Sequence, residues 1–162
     1  MRQGNSKQAS PLELLHRASQ RADNLFAHHV GAMQLTPRQF AVLKAVSGAD
    51  GPSQTAIMTA TGIDRSTTAE LVRRLVAYGL LQRRRTRRDA RLYSVRLTAK
   101  GRQALAVGAP AARATDEALL SFLALQQRPP FLEALALMAT DQAERKSAKV
   151  EANTRRLIRR RA

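Results

Sequence analysis

The apolar positions repeat at more than one spacing, and the changes of spacing divide the chain. From Pro11 to about Val30, Leu12, Leu15, Ser19, Ala22 and Phe26 recur at alternating intervals of three and four, which predicts a helix with one narrow packing seam. A seam that narrow suits a helix laid against another helix, such as one from a second subunit. Phe40, Leu43 and Val46 continue a buried stripe through LTPRQFAVLKAV. There Thr36 can cap, Pro37 fits the first helical position, Gln39 completes a capping box, and Gly48 and Gly51 stop the run. Ser53 then caps a short helix to about Ala60. Thr61-Gly62-Ile63 makes a turn in which Gly62 can take a positive φ, and Asp64 caps a further helix to about Tyr78 that Gly79 ends. Two short helices joined by a glycine-containing turn form a helix-turn-helix unit.

Past Gly79 the period drops to two. Leu81 to Arg85 reads as one strand and Arg91 to Leu97 as another, with Tyr93, Val95 and Leu97 on one face and Leu92, Ser94 and Arg96 on the other. The tip between them gathers Arg83, Arg84, Arg85, Arg87, Arg88 and Arg91, with Asp89 its only acid. So many guanidinium groups at one hairpin tip repel each other unless a polyanion sits opposite. Thr98 caps a long Ala/Leu-rich helix to about Leu125, and Pro129-Pro130 opens a last helix bearing Leu132, Leu135, Met138 and Ala139.

These elements predict a mainly α fold with a small β-wing, a winged helix-turn-helix flanked by N- and C-terminal dimerisation helices. Residues 1–10 are expected to be mobile, 11–35 to form the first dimerisation helix, and 36–98 the winged lobe. Residues 99–144 are expected to form the C-terminal dimerisation helices and 145–162 a basic tail.

A helical wheel over the Asp64-capped helix puts Val72, Leu75, Val76, Ala69 and Thr68 toward the core, with Ser66, Thr67, Glu70, Arg73, Arg74 and Ala77 opposite. Arg65 falls nearer the core side, which leaves its contact open. Such a helix presents its N-terminal residues to base edges in the major groove and later cations to phosphate. Ser66 and Thr67 are short enough for close approach, and Arg73 and Arg74 suit phosphate. Glu70 either accepts from a cytosine amino group or holds Arg74 one turn later, and the Glu-then-Arg order favours the second.

Composition sharpens this. The 162 residues carry 28 Lys and Arg against 12 Asp and Glu, a formal charge of +16 clustered rather than spread, which is the footprint of a nucleic-acid partner. With no cysteine there are no disulfides and no thiolate metal sites. The N-terminal MRQGNSKQAS lacks an apolar signal core, so a cytoplasmic protein without a membrane partner is expected. His28 and His29 are adjacent and diverge on a helix, unlike an i, i+4 pair that can chelate. No phosphate-cradling loop, nucleophile elbow or H-E-x-x-H occurs. No catalytic residue, metal or cofactor is therefore expected, and the chain does not read as an enzyme.

LTPRQFAVLKAV, SQTAIMTATGIDRSTTAELVRRLVAYGLLQRR and RRDARLYSVRLTAKGRQAL together resemble the MarR family of bacterial transcriptional regulators, over roughly Leu12 to Met138. The most specific pieces are the D-x-R of the wing (Asp89, Arg91) and the L-T-x-x-G after it (Leu97, Thr98, Gly101). The resemblance implies a homodimer held by its first and last helices, with Arg91 entering the minor groove and Asp89 steadying it. It also implies a repressor of nearby genes that releases an inverted-repeat operator in double-stranded DNA when a small, possibly aromatic, effector binds. The family's effector pocket lies near the first helix and the helix starting at Thr36, which makes His16, Ser19 and Phe40 the candidates here. Absence of cysteine excludes the peroxide-sensing branch, and absence of tryptophan disfavours ligand stacking on that residue in the first helix. The expected DNA contacts are Ser66, Thr67, Glu70, Arg73, Arg74, Arg87, Arg88, Asp89 and Arg91. An alternative stays open: a basic architectural protein that coats DNA with little sequence preference and no effector.

Overall fold

The computed structural model describes residues 9–85 and 93–139. Helix α1 (Pro11–Val30) starts from a capping box that satisfies two end groups at once: the Glu13 amide donates to Ser10 Oγ (3.2 Å) and the Ser10 amide to the Glu13 carboxylate (2.8 Å). Helix α2 (Pro37–Ser47) repeats the device with Thr36 and Gln39. Ser53 caps α3 (Gln54–Thr61), which ends at Gly62 with φ 67°, a conformation available to glycine without Cβ strain. Asp64 caps α4 (Arg65–Ala77). Strands β1 (Leu81–Arg85) and β2 (Tyr93–Leu97) pair antiparallel, with Leu81 opposite Leu97, Arg83 opposite Val95 and Arg85 opposite Tyr93. Helices α5 (Ala99–Leu120) and α6 (Arg128–Ala139) complete the order.

The chain divides into two compact units, Met1–Leu119 and Leu120–Ala162. In the first, Val42 and Leu43 of α2, Ile57 of α3, Val72 and Leu75 of α4, Leu81 of β1, Val95 of β2 and Ala104 of α5 are buried in one core. The seam expected on α1 is only partly used within the chain. Phe26 is buried against this core, whereas Leu12 and Leu15 are exposed. In the second unit residues 129–139 of α6 are all exposed, with Phe131, Leu132, Leu135, Leu137 and Met138 its large apolar side chains.

One junction orients the wing. The Thr98 amide donates to the Leu80 carbonyl (3.1 Å), and the Thr98 hydroxyl donates to the Gly79 carbonyl (2.6 Å) while accepting from the Gly101 amide (3.0 Å). Gly101 is buried so close to the Leu80 carbonyl that a Cβ there would collide with backbone. Thus the end of α4, the base of the wing and the start of α5 are joined through Thr98 and Gly101.

One expectation is corrected. Helix α5 ends at Leu120, not near Leu125, because the Leu123 amide turns back to the Leu120 carbonyl (3.1 Å) and Ala124 is extended (φ −58°, ψ 150°), its amide taken by Gln127. Tyr93 shares a face with Val95 and Leu97 but lies beyond the core at the far end of β2 and is exposed. The expected start of that strand at Arg91 and Leu92, and the tail 145–162, lie outside the described residues.

Candidate nucleic-acid interface

The exposed face of α4 is organised from its first residue. One Asp64 carboxylate oxygen accepts from the Thr67 amide (2.9 Å) and from the Ser66 hydroxyl (2.6 Å). The Ser66 bond foremost, then the Thr67 amide, hold that carboxyl well below the usual carboxylate range. The cap is therefore anionic, and it fixes Ser66 and Thr67 at the leading end of the helix.

One turn on, Glu70 accepts from Arg73 Nε and Nη2 (both 2.8 Å) through its two oxygens, and from Arg74 Nε (2.7 Å). The bonds from Arg73 first and Arg74 second lower its pKa from 4.5 to about 2, and the same pairing raises that of Arg73. The two arginines are largely in solvent and Glu70 is half-exposed, where ion pairs are individually weak. Three charged bonds converging on one carboxylate nonetheless set the resting direction of both guanidinium groups. The Glu-to-Arg74 contact expected from the sequence is present. The contact to Arg73 at i+3 was missed, although i+3 neighbours share a helix face as i+4 neighbours do.

Beside α4 lies an open groove of about 710 Å³ whose lining includes Gln54 of α3, Arg65, Ser66 and Arg73 of α4, and Arg83 and Tyr93 of the wing. Helix, wing strands and the helix-turn-helix thus border one basic concavity. Arg65 belongs to it. The wheel left its contact open; it is exposed, because the first turn of α4 projects beyond the packed stripe of Thr68, Val72 and Leu75.

Of the residues expected at a DNA surface, Ser66, Thr67, Glu70, Arg73 and Arg74 share one face. Arg87, Arg88, Asp89 and Arg91 lie outside the described residues. Of the effector candidates, His16 and Ser19 are exposed on α1. Phe40 is packed instead, its ring centroid 5.7 Å from that of Phe26 and its edge against Gly108. His28 and His29 lie edge to face at 5.5 Å, and among the described residues no three His, Asp or Glu side chains are grouped to hold a metal. No helix among those residues is long and apolar enough to cross a membrane.

Comparison with known proteins agrees with this arrangement. The model of the MarR family matches residues 33–92. The transcriptional regulator HosA of Escherichia coli O127:H6 is 30% identical over 132 residues, 78% of this chain and 98% of HosA. The transcriptional repressor CouR, solved bound to a 23-mer DNA duplex, superposes with a TM-score of 0.72 at 33% identity, over 86% of this chain and 99% of CouR. Bordetella bronchiseptica BpsR, whose DNA binding is regulated by 6-hydroxynicotinic acid, gives a TM-score of 0.69 at 30% identity, over 78% and 96% of the two chains.

Proposed function

The chain belongs to the MarR family, and on that premise we propose that it is a sequence-specific transcriptional repressor. It acts in the cytoplasm as a homodimer on an inverted-repeat operator and lets go when a small, aromatic effector binds. The observation that carries this reading is the exposed face of α4, with short hydroxyl side chains leading and two arginines held by Glu70 behind them. Ser66 and Thr67 contact base edges, Arg73 and Arg74 contact phosphate, Arg91 enters the minor groove with Asp89 steadying it, and Arg87 and Arg88 add further DNA contacts. The likeness to CouR on its duplex and to BpsR with its small-molecule regulation supports both halves of the reading.

Dimerisation is supported by apolar surface that the single chain leaves in solvent. On α1 that is Leu12, Leu14 and Leu15; on α6 it is Phe131, Leu132, Leu135, Leu137 and Met138. Two-fold symmetry places the recognition helices on half-sites about 10 bp apart. Selecting duplexes from a random pool and sedimenting the complex tests the reading. The expected result is an enriched inverted repeat bound by two copies of the chain. The net charge of +16 favours the second reading, a DNA coat without sequence preference. Equal affinity for selected and scrambled duplexes would establish that one instead.

A further inference from the structure

The wing has a second face. Pairing sets Gln82 opposite Arg96 and Arg84 opposite Ser94, so Arg84 and Arg96 project away from the side that Arg83, Val95 and Tyr93 present toward α4. On that far side, the wing strands, the 49–51 loop after α2 and the first half of α5 enclose an open cleft of about 650 Å³. Its arginines come from three elements, Arg84 on β1, Arg96 on β2 and Arg102 on α5, and Leu105, Ala106 and Ala109 of α5 supply an apolar wall. Among the described residues Asp50 is the only acid in its lining.

The arginines are not equally committed. Arg96 Nη2 donates to Asp50 (2.8 Å), and Arg102 Nη1 donates to the Leu97 carbonyl (3.3 Å), which steadies that side chain and leaves its other donors for a guest. Asp50 is 86% exposed against 45% for Arg96, so the acid is the partner that can swing into water. The loop itself is pinned: the Val95 amide donates to the Pro52 carbonyl (3.0 Å), and Gly51, at φ 68°, lies against Ser94 and Arg96. The cleft therefore has fixed walls, a removable counter-ion and a net positive interior beside apolar surface.

We propose that this cleft binds an organic acid with a flat apolar body, its carboxylate displacing Asp50 from Arg96 and bridging to Arg102. Forked donors suit a carboxylate, and the volume matches a small-molecule site. Because Arg84 and Arg96 stand on the same two strands as Arg83 and Tyr93, an occupant biases the wing from behind. That regulatory consequence rests on the repressor reading, whereas the binding itself does not.

The probe is 1-naphthoate, titrated by its own fluorescence anisotropy, which a chain without tryptophan leaves unobscured. Saturable binding is expected, weakened tenfold or more in Arg96→Gln and in Arg102→Gln, and tightened severalfold in Asp50→Asn. Arg38→Gln, which removes the same charge from the start of α2, leaves the titration unchanged, and thermal unfolding verifies that each variant is folded. Neutral 1-naphthamide binding as tightly as naphthoate would overturn the proposal. So would naphthoate binding that ignores all three cleft substitutions, or no saturable binding at all. Loss of duplex affinity in Arg96→Gln without any naphthoate binding would assign the cleft to DNA phosphate instead. If naphthoate binds as expected but no duplex is preferred, the ligand site stands and the repressor reading fails; the reverse pair of results separates them the other way.

Discussion

Glu70→Gln isolates what the carboxylate on the solvent side of α4 does. The substitution keeps the shape and one acceptor but removes the charge that takes three N–H donors from Arg73 and Arg74 at 2.7–2.8 Å. With a pKa near 2, Glu70 is ionised wherever DNA binding is measured, so the change is a full unit of charge per subunit. Counterion release adds about 0.9 to the slope of log K against log salt for each phosphate neutralised. One unit of charge per subunit steepens the slope for a dimer by about 1.8, and release of both arginines in both subunits by about 3.6. Random-sequence duplex should therefore bind Glu70→Gln more tightly at low salt, and the ratio of operator to random affinity should fall. The assay is fluorescence anisotropy against both duplexes over a range of salt. If Glu70 instead reads a cytosine amino group, operator affinity falls, random affinity is unmoved and neither slope changes. A slope that is unchanged or shallower would refute the idea that Glu70 restrains the arginines.

At the wing tip, Arg91→Ala should weaken operator binding by about 1–3 kcal/mol, the range for a specific groove contact. Asp89→Ala should weaken it too, against simple charge repulsion, if Asp89 orients Arg91; tighter operator binding by Asp89→Ala in the same titration would leave the tip a plain basic patch. Asp64 and Glu70 have carboxyls held below their ordinary 3.8 and 4.5, so on acidification the unfolded chain protonates first. The stability they contribute is complete above about pH 4.5 and is lost as pH falls toward 2. Urea unfolding should thus show Asp64→Ala less stable than the parent at neutral pH and the gap closing in acid; a gap that widens would defeat this reading. Gly101→Ala gains about 1 kcal/mol of helix propensity but sets a methyl against the Leu80 carbonyl, where overpacking costs about 1–3 kcal/mol. A net loss of stability is expected, and a raised melting temperature would show that the junction yields.

What could be read from the chain, and what could not, divides by the range of the interaction. Caps at Thr36, Ser53, Asp64 and Thr98 and the glycine turn at Gly62 involve residues within a few positions of each other, and all formed as their spacing required. The buried stripe of α4 is a property of one helix and was equally plain. The Ser10–Glu13 box at the start of α1 has the same local form. Where the outcome depended on a distant neighbour, periodicity was not enough. By count Arg65 lies near a packed face and Tyr93 on one, yet each sits one step beyond the edge of the core those faces meet. The alternation that placed Ser94 and Arg96 opposite Val95 described only a polar side of a strand. It becomes the wall of a cleft because the 49–51 loop and α5 come up against it from positions far away in sequence. A basic residue facing solvent and one lining a cleft have the same spacing along a strand. What separates them is the surface opposite, so effector recognition by a regulator of this kind is the part of its chemistry that one-dimensional patterns hold least.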